Sequence, residues 1–127
     1  MAMRIPQKYL GSTGWASMVE VDEVSIDRAI LRTRDEIVVD CVVEGQRYTI
    51  TLKRVAGDEF HGTYIAQRGG KKYEDAVNCR LVCSESSAVL VGHWTEEGSR
   101  YLWWAELDPV EHFPGEEKES ARGLKPR

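Results

Sequence analysis

The stretch that decides the fold is AVLVGHWTEEGSRYLWWAEL, Ala88 to Leu107, two apolar and aromatic runs joined by Glu96-Glu97-Gly98-Ser99. Turn formers between two β-rich runs spell a hairpin. A two-residue Glu97-Gly98 turn and a four-residue loop set the same register, with Trp94 facing Tyr101, Gly92 facing Trp103, Leu90 facing Ala105 and Ala88 facing Leu107. One face of the hairpin is then apolar and aromatic along its length. A glycine opposite a tryptophan predicts a strand that bends sharply while an indole covers the missing side chain, as in sheets that curl into barrels.

Upstream, Val77, Cys79, Leu81 and Cys83 alternate as a further strand, and a Ser84–Ser87 loop sets Leu81 opposite Leu90 and Cys79 opposite Gly92. Gly92 is therefore expected between Cys79 and Trp103. Phe60 to Gln67 reads as a strand with Phe60, Gly62, Tyr64 and Ala66 inward. Arg68 to Lys72 follows it as a basic, flexible loop, and Tyr73 to Asp75 carries no assignment. The Ala56-Gly57-Asp58 turn needs an odd-length connection to match faces, which sets Leu52 opposite Gly62 and Ile50 opposite Tyr64. From Glu36, a β-branched run alternates Ile37, Val39, Cys41 and Val43 against Val38, Asp40, Val42 and Glu44, a pattern that suits a strand and disfavours a helix. Reading Gly45-Gln46 as a type II′ turn pairs Val43 with Tyr48, Cys41 with Ile50 and Val39 with Leu52.

Nearer the N-terminus the pattern loosens. Ile26 to Thr33 is a strand with two competing inner faces, Ile26/Ile30 or Ala29/Leu31, and a helical spacing also fits Ile26, Ala29 and Ile30. Trp15 to Val24 reads as the first strand through its Val19/Val21 face. Residues 1–14 read as an arm that could plug a barrel end, residues 15–114 as a single β-barrel domain, and residues 115–127 as a charged tail expected to be disordered. Pro109, which cannot donate to a ladder, is expected to end the last strand.

Up to eight strands in meander order, with short turns and no long helix, predict an all-β fold: a small antiparallel up-and-down meander closed into a barrel or strongly curled sheet. A chain of 127 residues can bury one core without staples. Its net charge of −4 comes from interspersed acids and bases, so no nucleic-acid or membrane partner is expected. With no signal peptide and no membrane-spanning run, the expected location is cytoplasmic. Cys41, Cys79 and Cys83 each sit in an alternating apolar segment and read as buried free thiols.

FHGTY and RYLWWAEL resemble strands of the avidin and streptavidin barrels, and the meander resembles the lipocalins. The likeness is architectural. The polar residues of an avidin biotin site have no counterparts here, and the lipocalin Gly-x-Trp is absent because Thr13 precedes Gly14-Trp15. Neither resemblance implies a function for this chain.

No catalytic constellation emerges. His61 and His93 face away from the aromatic side, and no Cys-x-x-Cys or His-x-x-x-His spacing supports a metal site. Cys79 and Cys83, four apart on a strand, stand roughly 13 Å apart, too far to share one ion. No inner-face histidine accompanies the inner cysteines; only His112 folded over the barrel mouth near Cys83 would change that. Gly69-Gly70 lacks the strand-loop-helix setting of a phosphate loop. No cofactor is expected.

Tyr48, Tyr64, Cys79, Trp94, Tyr101 and Trp103 share the inner face and could line a pocket or simply fill the core. Arg28 joins them if Ile26 and Ile30 face inward, where it would lie opposite Cys41 and need an anionic partner. If Ala29 and Leu31 face inward, Arg28 is an ordinary surface charge. Outside, Val91, Leu102 and Trp104 form an apolar strip that suggests a second copy of the chain as partner, unless residues 1–14 or Glu111–Phe113 cover it. The sequence thus predicts a non-enzymatic binder of a small apolar or amphipathic ligand, with a homodimerising interaction module as the alternative.

Overall fold

A computed structural model describes residues 5–68 and 70–116 of the chain. Eight antiparallel strands run β1 Gln7–Ala16, β2 Val21–Thr33, β3 Glu36–Val43, β4 Gln46–Ala56, β5 Glu59–Arg68, β6 Lys71–Cys83, β7 Ala88–Glu96 and β8 Ser99–Val110. Each pairs with its sequence neighbour, and β1 pairs with β8, so the up-and-down meander closes into a barrel with no free edge.

The late registers are those the sequence predicts. Trp94 faces Tyr101, Gly92 faces Trp103, Leu90 faces Ala105 and Ala88 faces Leu107. Cys79 faces Gly92 and Leu81 faces Leu90, and Leu52 faces Gly62 while Ile50 faces Tyr64. The odd-length connection arises from a bulge between Arg54 and Ala56 added to the Gly57-Asp58 turn. The inner glycines sit where the neighbouring backbone comes closest. A Cβ on Gly62 would lie 1.8 Å from the Thr51 carbonyl oxygen, and one on Gly92 would lie 1.9 Å from that of Asn78. Only a bare Cα permits that approach, which is how the wall turns its corners.

The β3–β4 hairpin keeps its expected faces but not its register. Cys41 pairs with Tyr48, Val39 with Ile50 and Ile37 with Leu52. The turn is Glu44-Gly45 instead of Gly45-Gln46, with φ of 51° and 80° at its two residues. Positive φ at both positions is the type I′ turn, which places the glycine second. Glu97-Gly98 repeats it with φ of 48° and 81°.

The first strand lies earlier than the alternation suggests. Gln7–Ala16 forms β1, so most of the expected arm is barrel wall. Its inner positions include Gly11 and Thr13, which hide the apolar period: a Cβ on Gly11 would lie 1.9 Å from the Glu106 carbonyl oxygen, and buried Thr13 donates its hydroxyl to the Trp104 carbonyl at 2.7 Å. Ser17–Glu20, placed within a strand by the sequence pattern, is a turn closed by Ser17 N–H on the Glu20 carbonyl at 2.9 Å. Val19 and Val21 are consequently exposed. In β2 an extra residue near Asp27 shifts the register between Ile26 and Arg28. Ile26, Ala29 and Leu31 are therefore all buried, a mixture of the two candidate faces that strict alternation cannot produce.

Two further boundaries move. β6 starts at Lys71, so Tyr73–Asp75 is strand, and within the expected basic loop Arg68 pairs with Lys71 while Gly69 lies outside the described residues. Pro109 lies inside β8 opposite Tyr9, and the strand ends at Val110. Of the tail, residues 117–127 fall outside the described residues.

The core is layered. Leu31, Ile37, Leu52 and Phe60, each at most 1% exposed, fill one end. There the Arg54 guanidinium covers the Phe60 ring at 4.7 Å and is tied to Asp35 at 3.2 Å, to the Arg34 carbonyl at 2.7 Å and to the Gly57 carbonyl. Trp103, Tyr64 and Trp94 fill the middle, with Tyr64 and Trp94 stacked at 3.8 Å. The chain then passes outside the barrel, where Phe113 is buried beneath the Arg28 guanidinium at 4.5 Å. Glu116 bonds Lys8 at 2.8 Å. That hydrogen bond, with one from the Phe113 N–H, holds the Glu116 carboxyl below its usual range.

Gly92→Ala must push β6 away from β7 and is expected to cost roughly 1–3 kcal/mol of stability. Gly57→Ala, with φ of 52° and open space around it, pays only backbone strain of about 1 kcal/mol. Urea unfolding midpoints of the two variants, compared with wild type, test this ranking; equal midpoints would contradict the close approach.

Candidate functional site

At the end opposite Arg54 the barrel opens into a cup of about 340 Å³. Its shape follows from which strand ends meet there: the end of β1 supplies Trp15, the start of β2 Asp22, Glu23 and Val24, the end of β3 Val43, the start of β4 Gln46 and Tyr48, the end of β7 Trp94 and Glu96, and the start of β8 Tyr101. The turns after β1 and β3 add Glu20 and Glu44. An aromatic group forms the floor. Trp15 meets Trp94 edge-on at 5.1 Å, and Tyr48 lies 6.3 Å from Trp15 and 5.9 Å from Trp94 between ring centroids. Edge-on and tilted contacts set ring edges against ring faces, which fixes these planes beyond simple area burial. A smaller cavity of about 140 Å³ lies alongside, lined by Tyr48, Tyr64, Ala66, Tyr73, Glu74, Asp75, Glu96 and Glu97.

The residues predicted from sequence separate into three groups. Tyr48, Trp94 and Tyr101 line the cup, and Tyr64 lines the smaller cavity beside it. Cys79 and Trp103 are buried core below, and neither lines these two cavities. Arg28 is not in the interior at all. The β2 bulge turns it outward opposite Asp40, its side chain 55% exposed, against Phe113 and 3.7 Å from Glu116.

Sequence reasoning missed Trp15, Val24, Val43 and the carboxylates. Ser17 was the available signal, since its hydroxyl accepts from the Val19 and Glu20 N–H groups and ends β1 just after Trp15. Trp15 Nε1 is buried with no hydrogen-bond partner among the described residues, and so is Trp103 Nε1.

The outer strip exists in part. Val91 and Leu102 are 42% and 47% exposed, but Trp104 is half-buried with its ring over Gly14, where an added Cβ would lie 2.3 Å from Cζ2. Val91 pairs with Trp104, and Leu102 pairs with Ala16 and lies two strands from exposed Val21. Phe113 packs on the β1–β2 side instead and leaves this strip uncovered.

His61 and His93 are exposed, as expected from their registers. His61 contacts Glu59 at 2.8 Å on the outer surface. Among the described residues, no group of three or more His, Cys, Asp or Glu side chains is arranged to hold a metal ion. Burial pushes the thiols of Cys41 and Cys79 up to about 12, which keeps them protonated and unreactive. Cys83, expected to be buried, is exposed at the last pair of the β6–β7 ladder, where it faces Ala88 beside the Ser84–Ser87 turn. A thiol reagent at neutral pH is expected to label Cys83 alone in the folded protein and to reach Cys41 and Cys79 only after unfolding. Peptide mapping of the labelled chain checks this, and modification of Cys79 under native conditions would contradict it.

Against known proteins, the chain matches no family model, no curated protein and no solved structure.

Proposed function

We propose that this chain is a non-enzymatic binder of a small, partly apolar molecule, held in the cup at the open end of the barrel. The observation that carries the reading is the cup itself: about 340 Å³, floored by Trp15, Tyr48, Trp94 and Tyr101 with Val24 and Val43 beside them. In volume the cup falls within the range of about 300–1,000 Å³ usual for small-molecule sites, and its aromatic floor supplies the apolar surface such sites use, beneath a rim of acids. The ligand contacts the upper aromatic layer only, because Trp103 and Tyr64 already fill the middle of the barrel. The cup lining contains no cysteine, serine or histidine to act as nucleophile or imidazole base, which favours binding over nucleophilic catalysis.

A second reading has its own support. Exposed Val91 and Leu102 beside half-buried Trp104 form an apolar outer face suited to self-association. Leu102→Glu leaves the Trp104 packing over Gly14 untouched and is expected to convert a dimer to a monomer in light scattering. A wild-type protein that is already monomeric at high concentration removes this reading.

For the cup, the neutral solvatochromic dye prodan is a suitable probe. At about 0.3 kcal/mol per non-hydrogen atom it should bind with roughly 5 kcal/mol, a Kd of about 0.2 mM, with blue-shifted emission. Val24→Trp and, separately, Val43→Trp fill the cup from two sides and should each weaken that binding about tenfold. No binding to wild type, or equal binding to folded cup-filled variants, overturns the proposal.

A further inference from the structure

We infer that the molecule held in the cup is an organic cation, an amine or quaternary ammonium group carrying an apolar portion; this rests on the cup being a binding site. The lining is one-sided in charge. Glu20, Asp22, Glu23, Glu44 and Glu96 contribute carboxylates, and no lysine, arginine or histidine lines it among the described residues. Glu20, Asp22, Glu23 and Glu44 make no ion pair with a described residue. Of these four, Glu23 has a side-chain partner among the described residues, the Ser12 hydroxyl 3.4 Å from its Oε2. Elsewhere on the barrel acids meet bases directly, as Asp35 meets Arg54, Asp58 meets Arg80 and Asp27 meets Arg47.

Two physical terms then favour the same ligand charge. Carboxylates gathered around a concave space with an aromatic floor focus a negative potential into it. The faces of Trp and Tyr rings, negative at their centres, attract a cation that comes within about 6 Å of a ring centroid. An anion would meet the carboxylates and the ring faces with the wrong sign, and a neutral molecule would gain nothing from the charge of these acids, most of them exposed. The spacing also argues for a cation of some size. No three acidic groups converge closely enough to coordinate a metal ion among the described residues, whereas a substituted ammonium needs no coordination shell and can lay its apolar portion on Trp15 and Tyr48. Turns decide this arrangement: the Glu44-Gly45 turn and the Ser17–Glu20 turn both deliver acids to the same rim.

Ligand-observed NMR titrations with benzyltrimethylammonium, benzyl alcohol and benzoate test the inference on three probes that share one ring and differ in charge. The expected order is cation tightest by about tenfold, then the alcohol, then benzoate with no measurable binding. The triple variant Asp22→Asn/Glu23→Gln/Glu44→Gln should keep the alcohol affinity and bring the cation within about threefold of it. Raising sodium chloride from about 0.01 M to about 1 M, which shortens the screening length from about 30 Å to about 3 Å, should do the same in wild type. Equal binding of cation and alcohol, or tighter binding of benzoate, overturns the charge assignment while the cup remains a binding site. Cation binding that survives Val24→Trp and Val43→Trp overturns it too, because the charge would then be read outside the cup. Failure of all three probes to bind overturns the inference together with the reading of the cup beneath it.

Discussion

Everything in this barrel depends on the ladder between its first and last strands. Seven of the eight pairings join sequence neighbours and could form in an open curled sheet. The eighth brings Lys8 to Val110 and runs without a break to Ala16 against Leu102. It removes both sheet edges at once, so no unpaired row of backbone groups is left for another chain to extend. Thr13 seals the seam from inside by bonding the Trp104 carbonyl, and the Trp104 ring covers Gly14 from outside. The same ladder sets Trp15 beside Trp103 and brings it edge-on to Trp94, so the floor of the cup exists only because the cylinder closes.

The two ends of the cylinder are built on opposite principles. At one, aliphatic side chains and Phe60 pack to closure, and a single guanidinium lies over the ring with its donors spent on Asp35 and two backbone carbonyls. A cation over an aromatic face, with its hydrogen bonds satisfied, covers apolar surface without leaving a buried charge unanswered. At the other, the aromatic layer stops short of the rim, and the surrounding side chains include five acids. Packing accounts for the first end; the second gives up burial that a filled core would have gained.

How much of this was legible in the sequence tracked how cleanly each segment alternates. The β6–β7–β8 registers and the position of Gly92 followed from period-two patterning, because bulky inner residues on both neighbours admit only one matching of faces. The β3–β4 register slipped because Glu-Gly and Gly-Gln both look like turns in sequence, and only backbone geometry separates type I′ from type II′. β1 was hidden since glycine and threonine occupy inner positions where an apolar residue would have marked the face. The side taken by Arg28, left open between two candidate faces of β2, was decided by one bulge, which no local pattern reveals. Within the cup, Tyr48, Trp94 and Tyr101 were visible as inner aromatics. The acids were not, because Glu20, Asp22 and Glu23 lie far in sequence from Glu44 and Glu96 and join them only when every second turn lands at the same end of the barrel.

That the Arg54 end is shut has a kinetic meaning. A molecule held in the cup as proposed would leave only by the opening through which it arrived, so arrival and departure would cross one barrier in opposite directions. A change at the turns that merely narrows the passage slows both rates by one factor and leaves the equilibrium where it was, whereas a change in the floor alters residence time alone. If the cup binds as proposed, a change that only narrows the passage would therefore alter exchange rate without altering affinity.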